Sequence, residues 1–168
     1  MSGFTEISPM EIGENMIKLI GADWMLITAT DGERTNTMTA SWGGMGYLWA
    51  KSVATMFIRP QRYTFGIVEK TDTYSLCFFD ESYRKELNYC GAVSGRDEGK
   101  IQTCGFTILE ENGAPYFAEA KLALICKKLY VSRFEESKFV DSAIPPKMYP
   151  NKDYHYIYVG EITKALTK

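Results

Sequence analysis

The sequence holds a single histidine, His155, among 168 residues. Acid–base schemes built on imidazole therefore have one candidate. The four cysteines, Cys77, Cys90, Cys104 and Cys126, form no CxxC pair, so a zinc site lacks its usual ligand spacing. Buried, reduced thiols are the plain reading, with Cys90 in NYCG the one candidate for a reactive thiol. No Ser/His/Asp or Cys/His arrangement suggests a nucleophilic site. No GxGxxG and no phosphate-loop motif opens a helix, which argues against a doubly wound nucleotide fold. Membrane-length apolar runs are missing, and so is a basic leader with an apolar centre. The expectation is a cytoplasmic protein with no membrane partner. Lys and Arg number 19 against 21 Asp and Glu, a formal charge of −2. No basic stripe stands ready for nucleic acid.

What the chain has in quantity is aromatic. Eleven Tyr, nine Phe and three Trp favour sheet over helical bundle, because such side chains fit a pleated, half-buried surface. The length suits one domain over 1–168 whose core needs no disulfide.

In chain order, Ser8-Pro9-Met10-Glu11 reads as a capped helix start, with Met16, Ile17 and Ile20 as the apolar face and Gly21 as the stop. Residues 24–30 read as a strand, Asp31-Gly32 as a hairpin turn, and Thr35 to Ser41 as the returning strand. Gly43, Gly44 and Gly46 suit a sharp turn or a close approach to a flat ligand. Val53 to Ile58 is a continuous apolar run, expected to be buried on both faces. Arg59-Pro60 ends it. A short helix is predicted over Tyr63 to Lys70, a strand over Thr73 to Phe79, and a helix over Glu81 to Tyr89 with Gly91 as its stop. Ser94 to Lys100 reads as a charged loop. Thr107–Leu109 and Tyr116–Phe117 flank a turn, Ala120 to Val131 fits one bent strand, and 134–153 is a covering loop. Tyr154 to Ile162 is the final strand. Six or more strands with few short helices make a mainly β chain, folded as a closed or partly closed barrel.

Three polar clusters could carry function. Asn36, Thr37, Thr39 and Ser41 crowd one strand, and each would cost about 1–3 kcal/mol if buried unpaired. They either pair with backbone, hold a polar ligand, or sit on an ordinary Thr-rich edge. Alternation puts Thr37, Thr39 and Ser41 on one face and Asn36, Met38 and Ala40 on the other. Arg59, Arg62, Tyr63 and Thr64 form a second cluster that suits a phosphate or, as plainly, a solvated turn. Lys100 with Ser94 and Arg96 is the third, equally readable as a charged surface loop.

NTMTASWGG, followed by LW, an apolar strand and RPQRYT, resembles the flavin reductase-like family with the FMN-binding split-barrel fold. ELNYCGAVSGRDEGK at 86–100, EA before an apolar strand and Cys126 at 119–126, and DYHYIYVGEI at 153–162 extend the likeness. Together these stretches run in order from Asn36 to Ile162. The resemblance implies a homodimer of barrels of about six antiparallel strands, with FMN near the subunit interface. It implies that Asn36, Thr37, Met38, Thr39, Ala40, Ser41 and Trp42 lie along the flavin ring and ribityl chain. Arg59, Arg62, Tyr63, Thr64 and Lys100 would take the phosphate end, either arginine serving as the contact. His155 falls where such proteins often carry a histidine near the flavin, and it equally fits a hydrogen-bonded core position. Gly99 stands where the family often has Asp, and Trp42 and Trp49 fit ring walls or core aromatics alike.

The activity implied is hydride or electron transfer from NADH or NADPH through FMN to free flavin, ferric iron or a partner protein. A flavoredoxin-like electron carrier and a non-enzymatic FMN-binding module are the alternatives. A split barrel that takes another ligand is a third.

Overall fold

The computed structural model describes residues 3–168. Met1 and Ser2, which the expected domain 1–168 includes, lie outside the described residues. The main sheet is antiparallel and runs β3 (Thr35–Ala40), β2 (Met25–Thr30), β6 (Thr73–Phe78), β9 (Leu122–Arg133), β10 (Tyr156–Thr167), β5 (Lys51–Ile58), β4 (Gly43–Leu48). A short β1 (Thr5–Ile7) adds to the C-terminal half of β10. The curled sheet is not closed, because β3 and β4 are its two ends and share no ladder. The barrel is therefore split, and the chain crosses the split at Ser41-Trp42. The sheet has eight strands against the roughly six expected, with β7 (Ile108–Glu111) and β8 (Ala114–Phe117) as a separate hairpin.

Period-2 alternation between two cores explains why β2 and β9 read as unbroken apolar runs. On β2, Met25, Ile27 and Ala29 face the barrel interior while Leu26 faces a second core. On β9, Leu122, Leu124 and Cys126 face inward while Ala123 and Ile125 face that second core. The second core is covered by β7–β8, by Leu87 and Cys90 of α3 (Arg84–Ala92), and by Ile101 of α4 (Lys100–Thr103). These short helices pack beside β3, so the loop between them overhangs the split.

Several expectations are revised. The helix expected after Ser8 is broken. Ser8 N–H donates to Glu11 Oε2 at 2.8 Å and Ser8 Oγ accepts from Met10 N–H at 3.3 Å, yet only the turn Pro9–Glu11 follows. Helical structure resumes at α1 (Met16–Lys18), capped by Asn15, and Ile17 points out to solvent. Gly43 to Gly46 form no sharp turn but strand β4. A Cβ on Gly43 would stand 2.8 Å from the Thr55 carbonyl, so glycine is what lets β4 lie this close to β5. On β5 one face, Ala54, Met56 and Ile58, is fully buried, whereas Thr55 and Phe57 remain half-exposed. The run is thus not buried on both faces, and the open face looks into the split. Gly91 sits inside α3, not past its end.

Candidate functional site

Strand β3 pairs with β2 alone, which leaves backbone groups along its other edge without a strand partner. Its side chains divide as alternation requires. Thr37 is fully buried, donates to the Ile27 carbonyl at 3.2 Å and lies 2.9 Å from Thr28 Oγ1. Thr39 donates to the Leu87 carbonyl of α3. Both hydroxyls are thus engaged within the protein. Asn36, on the opposite face, donates from Nδ2 to Thr64 Oγ1 at 2.9 Å, tying β3 to α2 (Tyr63–Val68).

Three cavities run in series from the split along β3, each sharing wall residues with the next. One, of about 570 Å³, is apolar and lined by Met16, Ile20, Trp42, Met45, Phe57 and Phe134 among others. A second, of about 220 Å³, shares Ser41, Trp42 and Phe57 with it and adds Met38, Thr39, Ala40, Arg59, Arg62 and His155. The third, of about 140 Å³, shares Met38 and Arg62 with the second and adds Asn36, Tyr63, Thr64, Ser94, Gly95, Arg96 and Lys100. The series forms a groove with an aromatic end at the barrel split and a cationic end under the α3–α4 loop.

The cationic end is electrostatically unusual. Lys100 is buried, not on a charged surface loop, and Nζ donates to the Cys90 carbonyl at 2.9 Å. Arg62 Nη1 donates to the next carbonyl, Gly91, at 3.1 Å. Burial pushes the Lys100 ammonium down to about 8 and lowers the Arg62 guanidinium from its ordinary value. Arg96 donates to the Gln61 carbonyl at 3.2 Å and lies 5.4 Å from the Tyr63 ring centroid. Among the described residues no carboxylate lines this cavity. Desolvated cations held only by neutral carbonyls favour an anionic ligand.

Arg59 stands apart from this pair. Its guanidinium donates to Asp153 Oδ2 at 2.6 Å and to the Met148 carbonyl at 2.9 Å, and it lies 4.9 Å from the Tyr149 ring centroid. It thereby pins the covering segment 145–153 to the groove wall. Trp49 is also elsewhere. It occupies the two-residue β4–β5 turn, edge-on to Tyr130 at 6.3 Å between centroids.

His155 closes the aromatic end. Its ring centroid lies 5.1 Å from that of Trp42, and Nδ1 is 2.8 Å from the Tyr149 hydroxyl. Burial first, and the Arg59 charge second, push the imidazole down to about 4, so it is neutral near pH 7. The unfolded chain binds a proton at the ordinary value of 6.5 and the folded chain does not until about 4. Stability should therefore fall as pH drops through that window, by about 2 kcal/mol between pH 7 and pH 5. Urea midpoints at pH 7 and pH 5 check this, with His155→Gln expected to flatten the difference.

Sequence reasoning missed Phe57, which reads as core, and Gly95, which reads as loop. Gly95 has a visible reason. A Cβ there would approach Asn36 Cγ to 2.6 Å, so the loop can close over β3 only with glycine. Among the described residues no group of three or more His, Cys, Asp or Glu could hold a metal ion. No helix of the described residues is long and apolar enough to cross a membrane.

The architecture matches known structures. Flavoredoxin from Methanosarcina acetivorans superposes with a TM-score of 0.70 at 21% identity, over 87% of this chain and 68% of that one. Flavoredoxin of Desulfovibrio vulgaris (Miyazaki F) gives 0.69 at 18% identity, over 96% of this chain and 77% of that one. The NADH:FAD oxidoreductase SgcE6 of Streptomyces globisporus, in complex with NAD and FAD fragments, gives 0.64 at 16% identity, over 85% and 73%. These likenesses identify the fold as the flavin reductase-like split barrel. No curated protein matches the chain in sequence. The family model described as "Flavin reductase like domain" matches residues 18–168. The chain belongs to the flavin reductase-like domain family.

Proposed function

We propose that the chain is an FMN-binding oxidoreductase of the flavin reductase type, folded as one domain over 1–168. One observation carries the reading: cavities with shared walls lead from an aromatic end to a carboxylate-free end that holds the buried Lys100 and the half-buried Arg62. That polarity fits a flat ring carrying a phosphate tail. Arg62 and Lys100 would hold the phosphate, with Ser94, Tyr63 and Thr64 around it. Asn36 to Trp42 would run beside the ribityl chain and ring. The contribution of Thr37 would be its backbone alone, since its hydroxyl is spent on the Ile27 carbonyl. Trp42 and Phe57 would wall the ring, with the neutral His155 at its edge.

Bound FMN supplies the hydride and electron chemistry between NADH or NADPH and an acceptor, whether free flavin, ferric iron or a partner protein. The chain supplies placement. Its aromatic end keeps one side of the groove dry, and the Arg59–Asp153 pair holds the wall rigid. No side chain need move a proton. We read the protein as cytoplasmic and homodimeric. Tyr47, Leu48, Trp49 and Tyr130 form an exposed apolar patch on one side of the barrel, suited to cover by a second copy.

The test is spectral. Protein purified with FMN should carry flavin absorbance that NADH or NADPH bleaches anaerobically. Bound flavin that neither donor reduces, but a reduced carrier protein does, would replace this reading with a flavoredoxin-like carrier.

A further inference from the structure

Cys90, in α3, and Cys104, just after α4, lie with their sulfurs 3.7 Å apart. Neither lines the groove, and the proposed function uses neither thiol. Their surroundings are nevertheless those of the anion site. The Cys90 carbonyl accepts the Lys100 ammonium, and the Gly91 carbonyl accepts the Arg62 guanidinium. The chain between the two cysteines carries Ser94, Gly95, Arg96 and Lys100, the lip of the cationic cavity. Gly91 also packs on β3, where an added Cβ would stand 3.3 Å from Thr39 Cβ. Cys77 and Cys126, as buried as Cys90, differ in having no other thiol in hydrogen-bond reach among the described residues.

We propose that Cys90 and Cys104 are a reversible dithiol–disulfide pair, oxidised by hydrogen peroxide, whose state sets the geometry of the anion-binding lip. Cys104 is part-exposed and reacts first; Cys90 is fully buried. Burial raises both thiols and pushes Cys90 up to about 12, so exposure makes Cys104 the first to react and Cys90 the second partner. The Cys104 thiol loses its proton and its sulfur attacks one peroxide oxygen. The O–O bond breaks, giving a sulfenic acid and one water. The Cys90 sulfur then displaces the sulfenic oxygen, which leaves with the Cys90 proton as a second water, and the S–S bond forms. Two electrons pass from sulfur to peroxide, and a dithiol reductant reverses the change.

A disulfide requires sulfurs about 2.05 Å apart. Closing the gap draws the Cys90 backbone toward α4 and moves the carbonyls that hold Lys100 and Arg62. Misplacement on that scale at a positioned charge pair should weaken FMN binding about tenfold. The affinity part of this inference rests on the FMN reading above; the thiol chemistry does not.

The experiment treats the full chain with hydrogen peroxide, alkylates it, and maps its peptides by mass spectrometry. FMN titration and hydrogen exchange of residues 91–100 are run on the same samples. The expected result is a Cys90–Cys104 linked peptide that dithiothreitol removes, altered exchange in that segment, and about tenfold weaker FMN binding. Cys104→Ser should show none of these after peroxide. Two freely alkylatable thiols, stable sulfinic acid in place of the link, or a link that leaves exchange unchanged would each overturn the proposal. Failure of the untreated protein to bind FMN would reject the cofactor reading, while the peptide map and exchange still decide the thiol proposal.

Discussion

Replacing Arg62 and Lys100 together by alanine is expected to weaken FMN binding about a hundredfold or more. Each cation would make a charge-assisted hydrogen bond to phosphate, and such bonds contribute about 1.5–3 kcal/mol. Both are already desolvated, so the anion meets them without much further loss of hydration from their side. Their anchors are adjacent carbonyls, so neither needs large movement to face the cavity. The fold should survive. Removing a buried ammonium relieves a desolvation cost, and only the Cys90 and Gly91 carbonyls lose partners. Flavin fluorescence titration gives the affinities, and a thermal melt confirms folding. Arg59→Ala should fall well short of Arg62→Ala in FMN affinity, because Arg59 is committed to Asp153 and Met148. Equal losses for the two arginines would place the phosphate between them.

Gly160→Ala is expected to destabilise the barrel by about 1–3 kcal/mol, the range for overpacking a closed core. Gly160 lies at a register shift between β10 and β9. A Cβ there would run into the Tyr74 hydroxyl and stand 2.9 Å from Tyr74 Cζ and 3.3 Å from Cys126 Cβ. Both neighbours are fully buried and cannot swing away. For a domain of this size that corresponds to roughly 3–10 °C in Tm. The Tyr74 hydroxyl is itself buried without a hydrogen-bond partner, and burial holds it protonated. Tyr74→Phe should therefore be near neutral or stabilising. Combined with Gly160→Ala it should recover part of the loss, with a coupling above about 0.5 kcal/mol. Strictly additive losses would mean that the backbone, not the phenol, resists the methyl group.

The sequence shows its own structure best where one signal acts alone. The β2–β3 hairpin is legible because an apolar run, Asp31-Gly32 and a Thr-rich run follow one another, and the register Met25↔Ala40 to Thr30↔Thr35 has no bulge. Strand β4 is not legible, because glycines score as turn formers. Gly43 and Gly44 serve close approach to β5, a tertiary fact. Lys100 reads as loop charge because its burial depends on the Cys90 carbonyl, which another helix contributes. Phe57 reads as core because a period-2 run does not say which of its faces stays open. Within the candidate site, the split between Arg59 and Arg62 turns on Asp153, which lies 94 residues from Arg59 in the chain. No local pattern carries such information.

The most direct test of the groove is a comparison of FMN with riboflavin, which lacks only the phosphate, on the unmodified protein. If one groove binds ring and phosphate together, FMN should bind about a hundredfold more tightly. That preference should vanish in the Arg62→Ala, Lys100→Ala double variant. Equal affinity for the two flavins, or a phosphate preference that survives loss of both cations, would contradict the assignment of the cationic end.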